Sequence, residues 1–164
     1  MRAAIFVAII ILNFILQATV FSYIEIFQVA PNTALLIVVS YAMLRGDVEG
    51  ALLGFLAGIL IDIMFGSVIG FYALLYALIG FLSGKPFKDF VRENYLLPIA
   101  LTIAAALALE IVTFIILFAF RGNADFTHNL RTRIVPATIY TAMLSVPIYI
   151  LIYRVNKFIE RKTL

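Results

Sequence analysis

The chain has 164 residues, 65% of them hydrophobic and only 13% charged, with a net charge of +3 and no cysteine. Soluble domains carry about 25% charged residues, so a chain this poor in charge has lipid as its solvent, and the composition excludes a water-soluble domain. The missing cysteine excludes disulfides, thiolate metal sites and thiol nucleophiles. The basic balance does not point to nucleic acid, because the lysines and arginines sit at the ends of apolar runs, as membrane orientation requires.

Six apolar runs follow one another along a single integral membrane domain, residues 1–164. The first covers residues 3–24. It is longer than a signal-peptide core and no small-residue cleavage site closes it, so it reads as a retained span. Asn13 and Gln17 share one face of it at i, i+4 and suit interhelical hydrogen bonding. The second, 33–44, follows Pro31-Asn32-Thr33 and is short. Its 12 residues reach roughly 18 Å, against a hydrocarbon core of about 30 Å. It must be extended by its flanks, buried among neighbours, or re-entrant.

The third run, 48–65, follows Arg45-Gly46-Asp47. Gly50, Gly54, Gly58, Asp62, Gly66 and Gly70 recur there every fourth residue. The first three put small residues on one helix stripe and open a groove for another backbone. Two readings fit: packing inside the bundle, or a groove for a partner's helix. Asp62 lies about one turn from the end of this run. An acid there needs a partner, a cavity, water or a neighbouring helix N-terminus to cap.

Gly66-Ser67 make a tight turn into the fourth run, 68–83, which carries Gly80 and stops at Gly84-Lys85-Pro86. Residues 87–94 then repeat apolar positions at i, i+3 and i+4, the pattern of a short interfacial helix. The fifth run, 95–120, holds Glu110 near its middle. No lysine or arginine inside a span pairs with it. A buried acid is a functional candidate by default: a polar lock for a partner, a ligand contact, a proton site, or a structural hydrogen bond to Asn13, Gln17 or Thr102. The sixth run, 134–153, has Pro136 in its first turn and Pro147 inside, where a kink is expected. From Tyr153 to Leu164 basic and apolar residues alternate, which suits an anionic leaflet.

Six spans with both termini inside put Arg2, Arg45, Lys85, Lys88, Arg92, Arg154, Lys157, Arg161 and Lys162 on the cytoplasmic side and Arg121, Arg131 and Arg133 outside, nine against three. A re-entrant second run lowers the best split to eight against four. The positive-inside rule therefore favours six spans and a multi-pass protein of the cytoplasmic membrane. The three outer arginines go against the rule and suit a partner.

Catalytic motifs are missing. His128 is the only histidine and has no second ligand nearby, so it can build neither a metal site nor a triad. There is no phosphate-binding loop, nucleophile elbow or zinc-protease helix. No enzyme activity, cofactor or metal is expected.

The stretch Ala30-Pro31-Asn32-Thr33, then Arg45-Gly46-Asp47, the glycine run to Asp62, Gly66-Ser67, Gly70 and the close Gly80-Phe81-Leu82-Ser83-Gly84 resembles the MreD family of bacterial rod shape-determining proteins. That family often carries Asp where Asn32 stands. The resemblance implies a non-enzymatic scaffold of the cell-elongation machinery. MreC would be the direct partner, within a wider complex of MreB, RodA and a class B penicillin-binding transpeptidase. The glycine groove, Asp62, Glu110 and the three outer arginines would be candidate contacts. It also implies an all-α bundle of six spans, similar to the substrate-binding subunits of energy-coupling-factor transporters. A vitamin-binding subunit is the second reading. It needs an outward polar cavity reached by Glu110 or Asp62, with Ala4 and Ala8 facing the coupling protein.

Overall fold

The computed structural model describes residues 2–19, 31–65, 69–85, 96–121 and 130–161. Its elements are all helical: α1 (Arg2–Thr19), α2 (Thr33–Arg45), α3 (Asp47–Phe65), α4 (Phe71–Gly84), α5 (Leu96–Arg121) and α6 (Val135–Arg161), the last entered through a π-helical turn, Leu130–Ile134. The Gly66-Ser67 turn, the 87–94 segment and His128 lie outside the described residues.

The short second helix is the axis of the molecule. Every residue from Thr33 to Met43 is buried, and all five other helices pack on α2. Of the three readings of its short length, the burial fits a helix held among its neighbours: about 20 Å long, it has little face left for lipid. Asn32 caps its start, its Oδ1 accepting the Leu35 N–H at 3.0 Å. Gly46 ends it with φ +107°, a backbone conformation open to glycine, and α3 begins at the next residue.

α5 and α6 lie against each other, and each buries a stripe of mostly small and polar residues. On α5 these are Thr102, Ala105, Ala106, Leu109 and Thr113, and on α6 Ala137, Thr138, Thr141 and Ser145. On α6 the hydroxyls turn back onto their own helix: Thr138 donates to the Ile134 carbonyl at 2.8 Å and Ser145 to the Ala142 carbonyl at 2.6 Å, whereas the buried Thr113 hydroxyl of α5 has no hydrogen-bond partner among the described residues. Small residues at the seam and large apolar residues outside are the arrangement lipid selects. Leu52, Phe55, Leu56, Ile63, Leu74, Leu78 and Met143 all face outward, Met143 at 73% exposure.

α5 and α6 are long and apolar enough to cross a membrane, over Leu97–Ile116 and Val135–Ile159. The apolar parts of α1, α2 and α4 are shorter: Ile5–Gln17, Thr33–Arg45 and Phe71–Gly84. α6 outruns the expected sixth run, continuing without a break to Arg161, so the basic and apolar tail is largely the end of that helix.

Directions follow from contacts. Phe6 near the start of α1 packs against Tyr41 near the end of α2, ring centroids 4.3 Å apart and the planes tilted by 51°. The Asn32 N–H at the start of α2 donates to Thr141 Oγ1, in the second turn of α6, at 3.2 Å. The start of α1 and the end of α6 therefore both lie at the Arg45 end of the bundle.

Candidate functional site

α3 and α4 are antiparallel and touch backbone to backbone. A methyl group on Gly50 would strike the Gly80 carbonyl and Ala42. On Gly54 it would strike the Tyr76 carbonyl, and on Gly58 the Tyr72 carbonyl and Ala73. From the other side, one on Gly80 would strike the Gly50 carbonyl, and one on Gly84 would strike Gly46 and Asp47. Each side lacks side chains where the other needs room, so the seam is filled along its length. Of the two readings of the stripe, internal packing is the one realised. The groove expected for a partner's helix is occupied by α4, and a second helix has no space there.

Asp62 closes the far end of this seam. It is 1% exposed, and its carboxylate accepts three backbone N–H groups at the start of α4. The donors are Gly70, Tyr72 and Ala73, each at 2.9 Å. The first residues of any helix have N–H groups without internal partners. Gly70, the residue before α4, has no side chain to offer them and sits at φ +101°. Asp62 supplies the cap from the neighbouring helix instead, with its charge set against the positive end of the α4 dipole. Of the roles open to an acid at this position, the geometry is that of a helix cap.

A second lock joins three helices. Asn32 Oδ1, besides capping α2, accepts the Tyr76 hydroxyl of α4 at 2.7 Å. The Asn32 N–H binds Thr141 Oγ1, whose own proton goes to the Ala137 carbonyl at 2.7 Å. The result is a continuous chain of donors and acceptors from α4 through α2 to α6, of the kind that strengthens cooperatively in a low dielectric. A third contact lies near the opposite end of α2, where the Tyr41 hydroxyl donates to Glu49 Oε2 of α3 at 2.7 Å.

Tyr76, Tyr41, Glu49 and Thr141 are absent from the residues expected from sequence. The available signal was Asn32 directly before an apolar helix, since a capping side chain there is a fixed acceptor near its neighbours. The tyrosines gave none, because which helix faces α2 is a tertiary fact.

Glu110 is half-buried on α5, beside its buried stripe. Gly70 is exposed and serves the turn. Arg131 is exposed in the π-helical turn, at the end of the bundle opposite Arg45. Arg121 ends α5 and Arg133 lies in the π-helical turn, their side chains outside the described set, as is Gly66. Asn13 is half-buried on α1 with a buried Nδ2 that has no hydrogen-bond partner among the described residues. Among the described residues no group of three histidines, cysteines or carboxylates is placed to hold a metal.

The family model described as rod shape-determining protein MreD matches residues 1–159. No curated protein and no solved structure matches the chain.

Proposed function

The chain belongs to the family of rod shape-determining protein MreD, and from that premise we propose that it is a non-enzymatic scaffold of the bacterial cell-elongation complex. It binds the single-span protein MreC directly and, through MreC, helps set where and when peptidoglycan is made. MreB, RodA and a class B penicillin-binding transpeptidase are its wider company. The observation that carries this reading is the family match over residues 1–159.

The architecture supports a positioning role. The interior is committed to its own packing, by the glycine seam and the locks around Asp62 and Asn32. What remains for a partner is the outer surface. On the membrane side that surface is apolar, with Ile11, Leu12, Ile15 and Leu16 on α1 exposed. α1 packs chiefly on α2 and α3 and leaves most of its girth uncovered. At the end opposite Arg45, the exposed Arg131 and its neighbours Arg121 and Arg133 would meet an acidic or polar membrane-proximal segment of MreC.

We take the bundle to cross the cytoplasmic membrane six times with both termini inside. Two observations support this: α1 starts and α6 ends at one end of the molecule, and that end carries Arg45, Lys85, Arg154 and Lys157. The similarity to energy-coupling-factor substrate-binding subunits belongs to this same proposal. No observation favours vitamin binding.

The test is co-purification with MreC in mild detergent. Arg131→Glu should lower recovery of MreC while leaving the amount of folded chain unchanged. Undiminished recovery from this variant and from a triple variant with Arg121→Glu and Arg133→Glu overturns the contact.

A further inference from the structure

The Arg45 end of the bundle carries a built level of positive charge. From the Asn32–Thr141 hydrogen bond, Arg45 and Arg154 each lie 13 residues further along their own helices, which is about 20 Å in both cases. Lys85 reaches the same level on α4, because the preceding Gly84 touches Gly46 and Asp47. Lys157 lies one turn beyond Arg154 on α6.

The last turns of α6 are two-faced. Tyr149, Ile152, Asn156 and Ile159 are buried, whereas Leu151, Tyr153, Arg154, Lys157 and Phe158 are exposed. The exposed face pairs two cations with a phenylalanine 60% exposed and a leucine 59% exposed. Neither Arg154 nor Lys157 has an ion-pair partner among the described residues. Of the acids at this end whose side chains are described, Asp47 accepts the Val48 N–H and Glu49 the Tyr41 hydroxyl. Lys85 lies over the Phe81 ring at 4.3 Å, a second cation set on an aromatic.

Length fixes the depth of this face. α6 has 27 residues, about 40 Å of helix, while the hydrocarbon core is about 30 Å thick. With Val135 at one boundary, Arg154 falls about 28 Å along the helix, at the other boundary, and Lys157 about one turn past it. Leu151 and Phe158 reach toward the acyl chains, and the cations toward the phosphates.

We propose that this face of α6, Tyr153 to Phe158, binds the headgroup of an anionic phospholipid through Arg154 and Lys157, with Leu151 and Phe158 against its acyl chains. Complementary charge and the apolar residues flanking the cations select a lipid over a water-borne anion. The inference needs only membrane residence and stands or falls separately from MreC binding.

The probes are phosphatidylglycerol and phosphatidylcholine, added to the full chain in detergent and read as lipid retained by native mass spectrometry. The expected result is preferential retention of phosphatidylglycerol. That preference should drop about fivefold for each of Arg154→Gln and Lys157→Gln. It should survive the charge-keeping Arg154→Lys and, at the other end of the molecule, Arg131→Gln. In the unaltered chain it should also weaken as salt rises from about 0.05 to about 0.5 M. Equal retention of the two lipids, a preference unmoved by salt, or an undiminished preference in Arg154→Gln/Lys157→Gln overturns the proposal. The last two outcomes would leave the face to an apolar or protein partner.

Discussion

Gly50 and Gly80 are each the reason the other must be glycine. The space a side chain on Gly50 would need is filled by the Gly80 carbonyl, and the space one on Gly80 would need is filled by the Gly50 carbonyl. Backbone meets backbone, so neither side has a flexible group that can move aside. Gly54 and Gly58 extend the relationship along α3, and Gly84 extends it along α4.

The first prediction concerns this seam. Gly54→Ala and Gly80→Ala should each destabilise the chain by at least the 1–3 kcal/mol, roughly, of an ordinary overpacked core, because the atoms struck are backbone. Gly54→Leu should prevent α3 and α4 from closing. Denaturant unfolding in detergent, followed by helical circular dichroism, measures both. A Gly54→Leu chain that folds and unfolds like the original would contradict the seam. Loss of MreC from Gly54→Leu would then report misfolding of the hairpin, not a lost docking groove.

Asp62 is a cap whose charge matters. Asp62→Ala takes the acceptor from three N–H groups at the start of α4, of which that of Ala73 is buried, and a buried donor left unpaired costs about 1–3 kcal/mol. Asp62→Asn keeps the shape but turns an NH2 group toward donors, so it should rescue little. Hydrogen exchange at Gly70, Tyr72 and Ala73 should speed up in both variants while exchange in α5 stays slow. Unchanged protection at those three amides would remove Asp62 from the role.

The Asn32–Tyr76 bond should behave as a coupled pair. Tyr76→Phe and Asn32→Ala should each destabilise the chain, and a double-mutant cycle should give a coupling of about 0.6 kcal/mol, up to roughly 1.7. Asn32→Asp keeps both acceptor roles, toward Leu35 N–H and toward the Tyr76 hydroxyl, and should fold. Strict additivity of the two single losses would show that the hydroxyl does not lean on Asn32.

Tyr41 and Glu49 make a similar but more peripheral contact at the turn between α2 and α3. Tyr41→Phe keeps the ring contact with Phe6 and removes only the hydrogen bond, so its cost should be about 1 kcal/mol. Phe6→Ala removes the ring itself and should cost about 3–5 kcal/mol. The order of the two midpoints in one unfolding series checks this. Tyr41→Phe below Phe6→Ala would reverse the assignment.

Much of this molecule was legible in one dimension. Apolar runs and their punctuation located the helices to within a few residues where they are described, since a chain without water must close its backbone hydrogen bonds locally. α6 was drawn too short, because the apolar signal fades at Tyr153 while the helical backbone does not. The glycine period marked a close approach, and the acid at its end marked a polar contact. Neither could name the partner: a stripe of small residues looks the same whether a neighbour in the same chain or a foreign helix fills it.

Sequence by itself determined the solvent, the helices and the places where side chains are missing or charged, because these depend on composition and spacing along one strand of chain. Tertiary structure alone decided that α4 fills the glycine groove, that Asp62 caps a helix it does not belong to, and that Asn32 gathers Tyr76 and Thr141. Those pairings join residues as far apart as Asn32 and Thr141, 109 positions along the chain. They are set by which helices the bundle makes neighbours, a choice made by the packing of whole surfaces and carried by no single residue.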